Sequence, residues 1–283
     1  MIDFKKLIKD NLSEMIKDSF RNDRRDIWLW LTLNEEFNAN LDPAACNTPR
    51  MREDIYEFLS KHPSDLETIR RDIYTAIIPE ENFSWMKEEK RQLLWLTPRI
   101  EDLTQTDSRR FARGSVNLFG REKLIAIIDF WDHPLPRKVE LVERLHSEWR
   151  RHESHDTDYR WFSDSKEGLQ RCICAGEWFE KESKQRLIKP EPIRNYEELL
   201  IHFDNDNYER PYRKEIIKKI QASWNKRKFE ERNPDKQQLN VRISKKAKDL
   251  LNELSGNDKK SQSKIIEKLI LMEAEHRIYL RDM

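Results

Sequence analysis

With 283 residues the chain has room for one large domain, or for a medium domain with a small module attached. Charged side chains make up 38% of it, against roughly 25% in globular domains generally. Nine tryptophans and 10% aromatics nevertheless supply dense core material and argue against disorder. Five glycines leave little scope for nucleotide-binding loops or sheet-rich folds, and no apolar run approaches the roughly 20 residues that cross a bilayer.

The formal net charge of +1 conceals an asymmetry. Between Pro211 and Lys248 there are 13 Lys/Arg against 4 Asp/Glu, and residues 249 to 283 carry 6 against 7. Residues 1 to 210 therefore sum to −7, so an acidic body is joined to a basic segment. That distribution suits a protein with one surface facing a polyanion.

Most of the chain reads as helices. Phe4, Leu7, Ile8, Leu12, Met15, Ile16 and Phe20 form one stripe at helical spacing, with no secretory signal pattern. Ile27 to Leu33 (IWLWLTL) is apolar on all sides and predicts a buried helix. Ser64-Asp-Leu-Glu67 has capping-box spacing and opens a helix with Leu66, Ile69, Ile73 and Ile77, which Pro79 ends. Further helices are predicted around Trp85 to Leu96, Arg121 to Trp131, Arg137 to Trp149, Lys166 to Phe179 and Tyr196 to Phe203. Prolines at 98, 134, 136, 190 and 192 punctuate them. Residues 189 to 198 (KPEPIRNYEE) and 231 to 237 (ERNPDKQ) are candidate boundaries. Between them, Lys214 to Phe229 reads as a basic helix with Ile216, Ile217, Ile220 and Trp224 on one face.

The C-terminal stretch QQLNVRISKKAKDLLNEL (237 to 254) changes period. Leu239, Val241 and Ile243 alternate with Gln238, Asn240 and Arg242, which is the pattern of a strand with one apolar and one polar face. Ser244 is placed to cap a following helix with Ala247, Leu250, Leu251 and Leu254 on one side, and Gly256-Asn257 offers a left-handed stop. Ser261 is placed to cap a second helix carrying Ile265, Ile266, Leu269 and Ile270. A lone strand leaves its edges unpaired, and so small a unit cannot bury its apolar surface alone. Pairing with the same strand of a second chain answers both needs and presents two copies of Gln-Asn-Arg. Arg reads guanine and Asn or Gln reads adenine in the major groove, which a two-stranded ribbon fits. Helix-start N–H groups at Ser261 to Lys264, beside Lys259 and Lys260, suit phosphate. The blander reading is an ordinary strand and two amphipathic helices packed into the main core.

Residues 237 to 275 resemble the ribbon-helix-helix superfamily of the Arc and MetJ repressors. The resemblance rests on the Q-L-N-V-R-I-S run and on S-Q-S-K-I-I at 261 to 266. It implies base reading by Gln238, Asn240 and Arg242, and phosphate contact at Ser261 to Ser263. Lys264 departs from the family, which often has an acidic residue there. The order of helical domain, basic run, ribbon-helix-helix and helical tail also resembles the MatP chromosome-organising proteins, without an alignable motif in residues 1 to 200.

Other constellations are weaker. Lys226, Arg227 and Lys228, with Lys218, Lys219 and Trp224 upstream, read as phosphate contacts or as a solvated helix face. Arg109, Arg110 and Arg113 read as a solvated turn or a second anion site. His146, His152 and His155 with Asp156 match no metal spacing, and DNDN at 204 to 207 lacks the glycine and terminal glutamate of a calcium loop. Cys46, Cys172 and Cys174 read as buried reduced thiols, and the tryptophans as core rather than base-stacking platforms.

The expectation is therefore a mainly α protein with three parts. Residues 1–200 form a helical domain of unassigned role, 211–236 a basic connecting helix and linker, and 237–283 a ribbon-helix-helix module with one strand paired across a dimer. Its expected dimer core is Leu239, Val241, Ile243, Leu250, Leu254, Ile265, Ile266 and Leu269. Its expected DNA contacts are Gln238, Asn240 and Arg242 on bases, with Lys226, Arg227, Lys228, Lys259, Lys260, Ser261 and Ser263 on phosphates. The expected function is sequence-specific duplex DNA binding by a homodimer, as a transcriptional repressor or autoregulator. Alternatives are an architectural protein bridging chromosome or plasmid sites, and an N-terminal enzyme or toxin effector controlled by the DNA module. No catalytic motif, cofactor or metal is expected. Assembly beyond the dimer and a protein partner for residues 1–200 stay open, with a cytoplasmic, nucleoid-associated location and no membrane.

Overall fold

The computed structural model describes residues 10–17, 22–104, 117–183, 191–206, 208–234, 239–258 and 261–280, with backbone alone at 257–258. Every regular element among them is helical. In chain order these are α1 (Asn11–Met15), α2 (Asp23–Glu35), α3 (Met51–Lys61), α4 (Leu66–Ala76), α5 (Lys90–Thr104), α6 (Gly120–Phe130), α7 (Leu135–Ser154), α8 (Gly168–Glu182), α9 (Tyr196–Asn205), α10 (Arg210–Arg232), α11 (Lys245–Asp258) and α12 (Gln262–His276). Short 3-10 turns lie between several of them. The chain divides into two compact units, Met1–Trp224 and Asn225–Met283.

The first unit, the body, is built around α2. Ile27 to Leu33 are all buried, Trp30, Leu29 and Leu33 completely, because this helix is apolar around its circumference and is packed by α3, α4 and α6. A second core forms from Tyr159, Phe162, Cys172, Ala175, Phe179, Leu199, Leu200 and Phe203, closed by Ile216, Ile217 and Ile220 of α10. The predicted apolar face of the basic helix is thus its buried face. Trp28, Trp30, Trp95, Trp149 and Trp224 are buried, as core tryptophans should be, and so are all three cysteines, which are unpaired. At Gly168 the backbone of α8 runs so close to the preceding turn that a Cβ would stand 2.5 Å from the Phe162 carbonyl oxygen.

Arginines, two of them buried, cross-link the body. Arg52 is almost fully buried and donates to Asp10 at 2.7 Å, to Ser13 Oγ at 3.0 Å, and to the buried Asp26. Arg24 binds Asp129 and Glu80, each at 2.8 Å, and the Ile78 carbonyl at 2.9 Å. Arg91, on α5, reaches Asp156 at 2.6 Å and Asp204 of α9 at 2.7 Å, joining the two cores. A buried pair repays its desolvation only with several such bonds, and removing one partner strands the other.

Several sequence expectations are corrected. Pro98 lies inside α5 rather than ending it. Its missing N–H falls opposite the exposed Leu94, while the Thr97 and Arg99 side chains bind the carbonyls of Leu93 and Trp95 at 2.7 and 2.8 Å. Ser64 makes no capping bond to α4, because Pro63 starts a 3-10 turn that runs directly into the helix. Helix α1 stops at Met15, with Lys17 in the left-handed region, so the predicted N-terminal stripe is not one continuous helix among the described residues. Phe4, Leu7, Ile8 and Phe20 lie outside them. Gly256 does not stop α11, which continues to Asp258.

The largest correction concerns the fold class. Residues 239 to 243 form no strand, and no strand or sheet occurs among the described residues, so the expected ribbon is overturned. Alternation sets which side chains share a face only once backbone N–H and C=O groups are laddered to a neighbour. Among the described residues no segment supplies that neighbour.

Candidate nucleic-acid interface

The second unit contains the end of α10, the irregular stretch from Leu239, and the packed pair α11 and α12. Both predicted N-caps form. Ser244 Oγ accepts from Ala247 N at 3.2 Å, and Ser261 Oγ accepts from Lys264 N at 3.4 Å. Gln262, one turn-residue into α12, donates to the Asn252 side chain of α11 and sets the two helices together. After His276, Arg277 turns left-handed, and Glu273 Oε1 accepts from Tyr279 N and Leu280 N at 2.8 and 2.7 Å.

Apolar side chains are placed quite differently here than in the body. Of the expected dimer core, Ile265 is buried and Ile266 half-buried. Leu239, Val241, Ile243, Leu250, Leu254 and Leu269 are all exposed, Leu239 to 64%. Ile270, Leu271, Met272, Ile278, Tyr279 and Leu280 are exposed as well. Burying one such side chain is worth about 1.5–3 kcal/mol, so this surface forgoes most of what folding the unit needs. Within one chain, then, the eight residues do not form a core.

The cations are also distributed distinctively. Arg242, Lys245, Lys246 and Lys248 are exposed, and none makes an ion pair with a described residue. Three of these lysines fall in the first turns of α11, which carry no acidic residue before Asp249. Positive side chains at a helix's positive end repel its dipole by roughly 0.3–1 kcal/mol, a penalty that a bound anion would offset. Helices α2, α3, α4, α6 and α9 place acidic residues in their first turns, whereas α5, α7, α8 and α10, like α11, do not. Helix α12 likewise begins without an acidic residue and with Lys264 and Ser263 exposed.

Other expected contact residues are less open. Lys226 pairs with Glu230 at 3.9 Å and Lys228 with Glu231 at 3.3 Å along α10, and Arg227 also has a partner. Asn240 is exposed but engaged. Gln238, Lys259, Lys260 and the cluster Arg109, Arg110 and Arg113 lie outside the described residues.

In the body, His146 stacks on Trp85 at 4.8 Å and His152 pairs with Asp204 at 3.1 Å, so their sequence proximity reflects packing. No group of His, Cys, Asp and Glu among the described residues is arranged to hold a metal. No helix among the described residues is long and apolar enough to cross a membrane. Sequence reasoning did not name the exposed lysines at the start of α11 as contact residues, although Lys245-Lys-Ala-Lys directly after a capping serine was there to be weighed. No family model matches this chain, and no curated protein or solved structure matches it.

Proposed function

We propose that the chain binds duplex DNA as a homodimer through its C-terminal unit and acts as a transcriptional repressor or autoregulator. One observation carries the reading: the cations Arg242, Lys245, Lys246 and Lys248, which form no ion pair with a described residue and gather where α11 begins without an acidic side chain. A phosphate backbone supplies the missing negative charge, and releasing its counterions drives association. Arg242 and Asn240, in the stretch leading into that helix, are the side chains whose donors and acceptors match base edges. Lys264 and Ser263 at the start of α12 add a second phosphate contact.

Dimerisation is supported by the exposed apolar residues of 239 to 243, α11 and α12. A second copy covers them by an isologous interface, the commonest symmetry among oligomers. A nucleoid-associated location follows from the same reading.

The test is selection of bound fragments from a random duplex pool at physiological salt, with Arg242→Ala in parallel. The expected outcome is a short enriched motif, with two-fold symmetry, that the variant loses at one base position. Binding of all sequences alike, vanishing as salt rises, would leave only phosphate contact and sink the claim of base reading.

A further inference from the structure

Beyond DNA binding, we infer that the body carries a receptor site for a small organic cation of the methylated-ammonium class. The site is a cavity of about 130 Å³ between the last turn of α8, the end of α9 and the start of α10, lined by Trp178, Phe179, Glu182, Asp206, Tyr208 and Tyr212 among others. Its walls are aromatic. Phe179 lies 5.2 Å from Trp178 and 4.1 Å from His202, and Tyr208 and Tyr212 lie 5.2 Å apart edge to face. Ring faces carry partial negative charge and attract weakly hydrated cations.

Two carboxylates share this lining, Glu182 and Asp206. Asp206 Oδ2 is buried and stands 3.3 Å from His202 Nε2, yet accepts no hydrogen bond from a described residue. Among the described residues, no lysine or arginine lines the cavity. Lys219, which senses the charge of Glu182, is bonded to Glu215 at 2.8 Å, and Arg213 donates to the Tyr208 carbonyl at 3.0 Å. Two carboxylates and four aromatic rings therefore border a space that, among the described residues, has no lysine or arginine in its lining, His202 being the partner of Asp206 there. Tyr212 is 51% exposed, an ordinary core position being far more enclosed, so one wall opens to solvent. The volume is ample for a trimethylammonium head. A neutral ligand would gain from the rings but not from the carboxylates, and a primary ammonium would keep much of its hydration.

The experiment titrates the full-length protein with choline and with its uncharged carbon isostere 3,3-dimethylbutan-1-ol, by calorimetry and tryptophan fluorescence. A short peptide bearing trimethyllysine forms a third arm. Choline is expected to bind at least about fivefold more tightly than the isostere. Tyr212→Ala should weaken it about five- to thirtyfold while Tyr212→Phe, which keeps the ring, retains binding. Asp206→Asn should narrow the gap between cation and isostere. A peptide that binds more tightly than choline assigns the source to a modified protein side chain, and equal affinity assigns it to a free metabolite. Absence of choline binding, equal binding of the isostere, or an indifferent Tyr212→Ala overturns the proposal.

Discussion

Arg52 and Arg242 have the same side chain and opposite circumstances. In the body, Arg52 is enclosed by Asp10, Asp26 and Ser13, and Arg24 and Arg91 are similarly engaged. In the C-terminal unit Arg242 stands in solvent, and neither it nor the three lysines near it forms an ion pair with a described residue. The apolar residues divide in the same way, Leu29 and Leu33 being fully buried while Leu239 and Leu269 are more than half exposed. Internal pairs of the body hold its own elements together. In the second unit, charge and apolar surface are left unmatched by the described residues. Saturation on one side and deficit on the other are what the proposed DNA-binding role of the second unit rests on.

The comparison breaks most directly at the exposed apolar face. Leu254→Asp combined with Leu269→Asp should reduce the assembly to monomers in sedimentation measurements and abolish DNA binding, because each interface would bury unpaired carboxylates. The fold of the body should persist. A constant mass with intact binding would show that another surface joins the copies.

Arg52→Ala is the mirror-image change. It leaves Asp26 buried without its partner and should cost about 3–5 kcal/mol in chemical denaturation, without altering the oligomeric state. Gly168→Ala sets a methyl against the Phe162 carbonyl and should cost about 1–3 kcal/mol in the same assay. Acid should sharpen this picture. Hydrogen bonds from Arg52 hold the Asp10 carboxyl well below the ordinary carboxylate range. A depressed folded-state pKa contributes stability that is present above the unfolded value near 3.8 and is lost as pH falls below it. The stability of the wild-type body should therefore decline below about pH 4 more steeply than that of Arg52→Ala.

Smaller effects belong to the second unit. Arg242→Ala should lose about 1–3 kcal/mol at one base position and little elsewhere in the site. Lys245→Ala should weaken every sequence alike and reduce the log–log salt slope by about 0.9, the share of one phosphate. Equal behaviour of the two variants would remove the distinction between reading bases and holding phosphates.

The helical character of the body was legible because its apolar residues recur at helical spacing over long windows. The IWLWLTL run is buried as predicted, and so is the Ile216, Ile217, Ile220 and Trp224 face. Ser244 and Ser261 cap as their positions suggested, since a capping bond spans only three residues. Local signals failed where a neighbour changed their setting. Pro63 pre-empted the Ser64 cap, Gly256 was carried along by a continuing helix, and Pro98 was tolerated on an exposed side. The cavity of Trp178, Asp206 and Tyr212 was not legible, because its walls come from three helices.

By itself, then, the sequence determined the periodicities, the caps and the placing of positive charge near residue 245, all properties of short stretches of chain. Tertiary structure decided which charges are neutralised, which apolar faces are covered, and that residues 239 to 243 form no strand. The physical reason is that burial, ion pairing and sheet formation each require a partner. Whether a partner exists depends on what folding brings alongside.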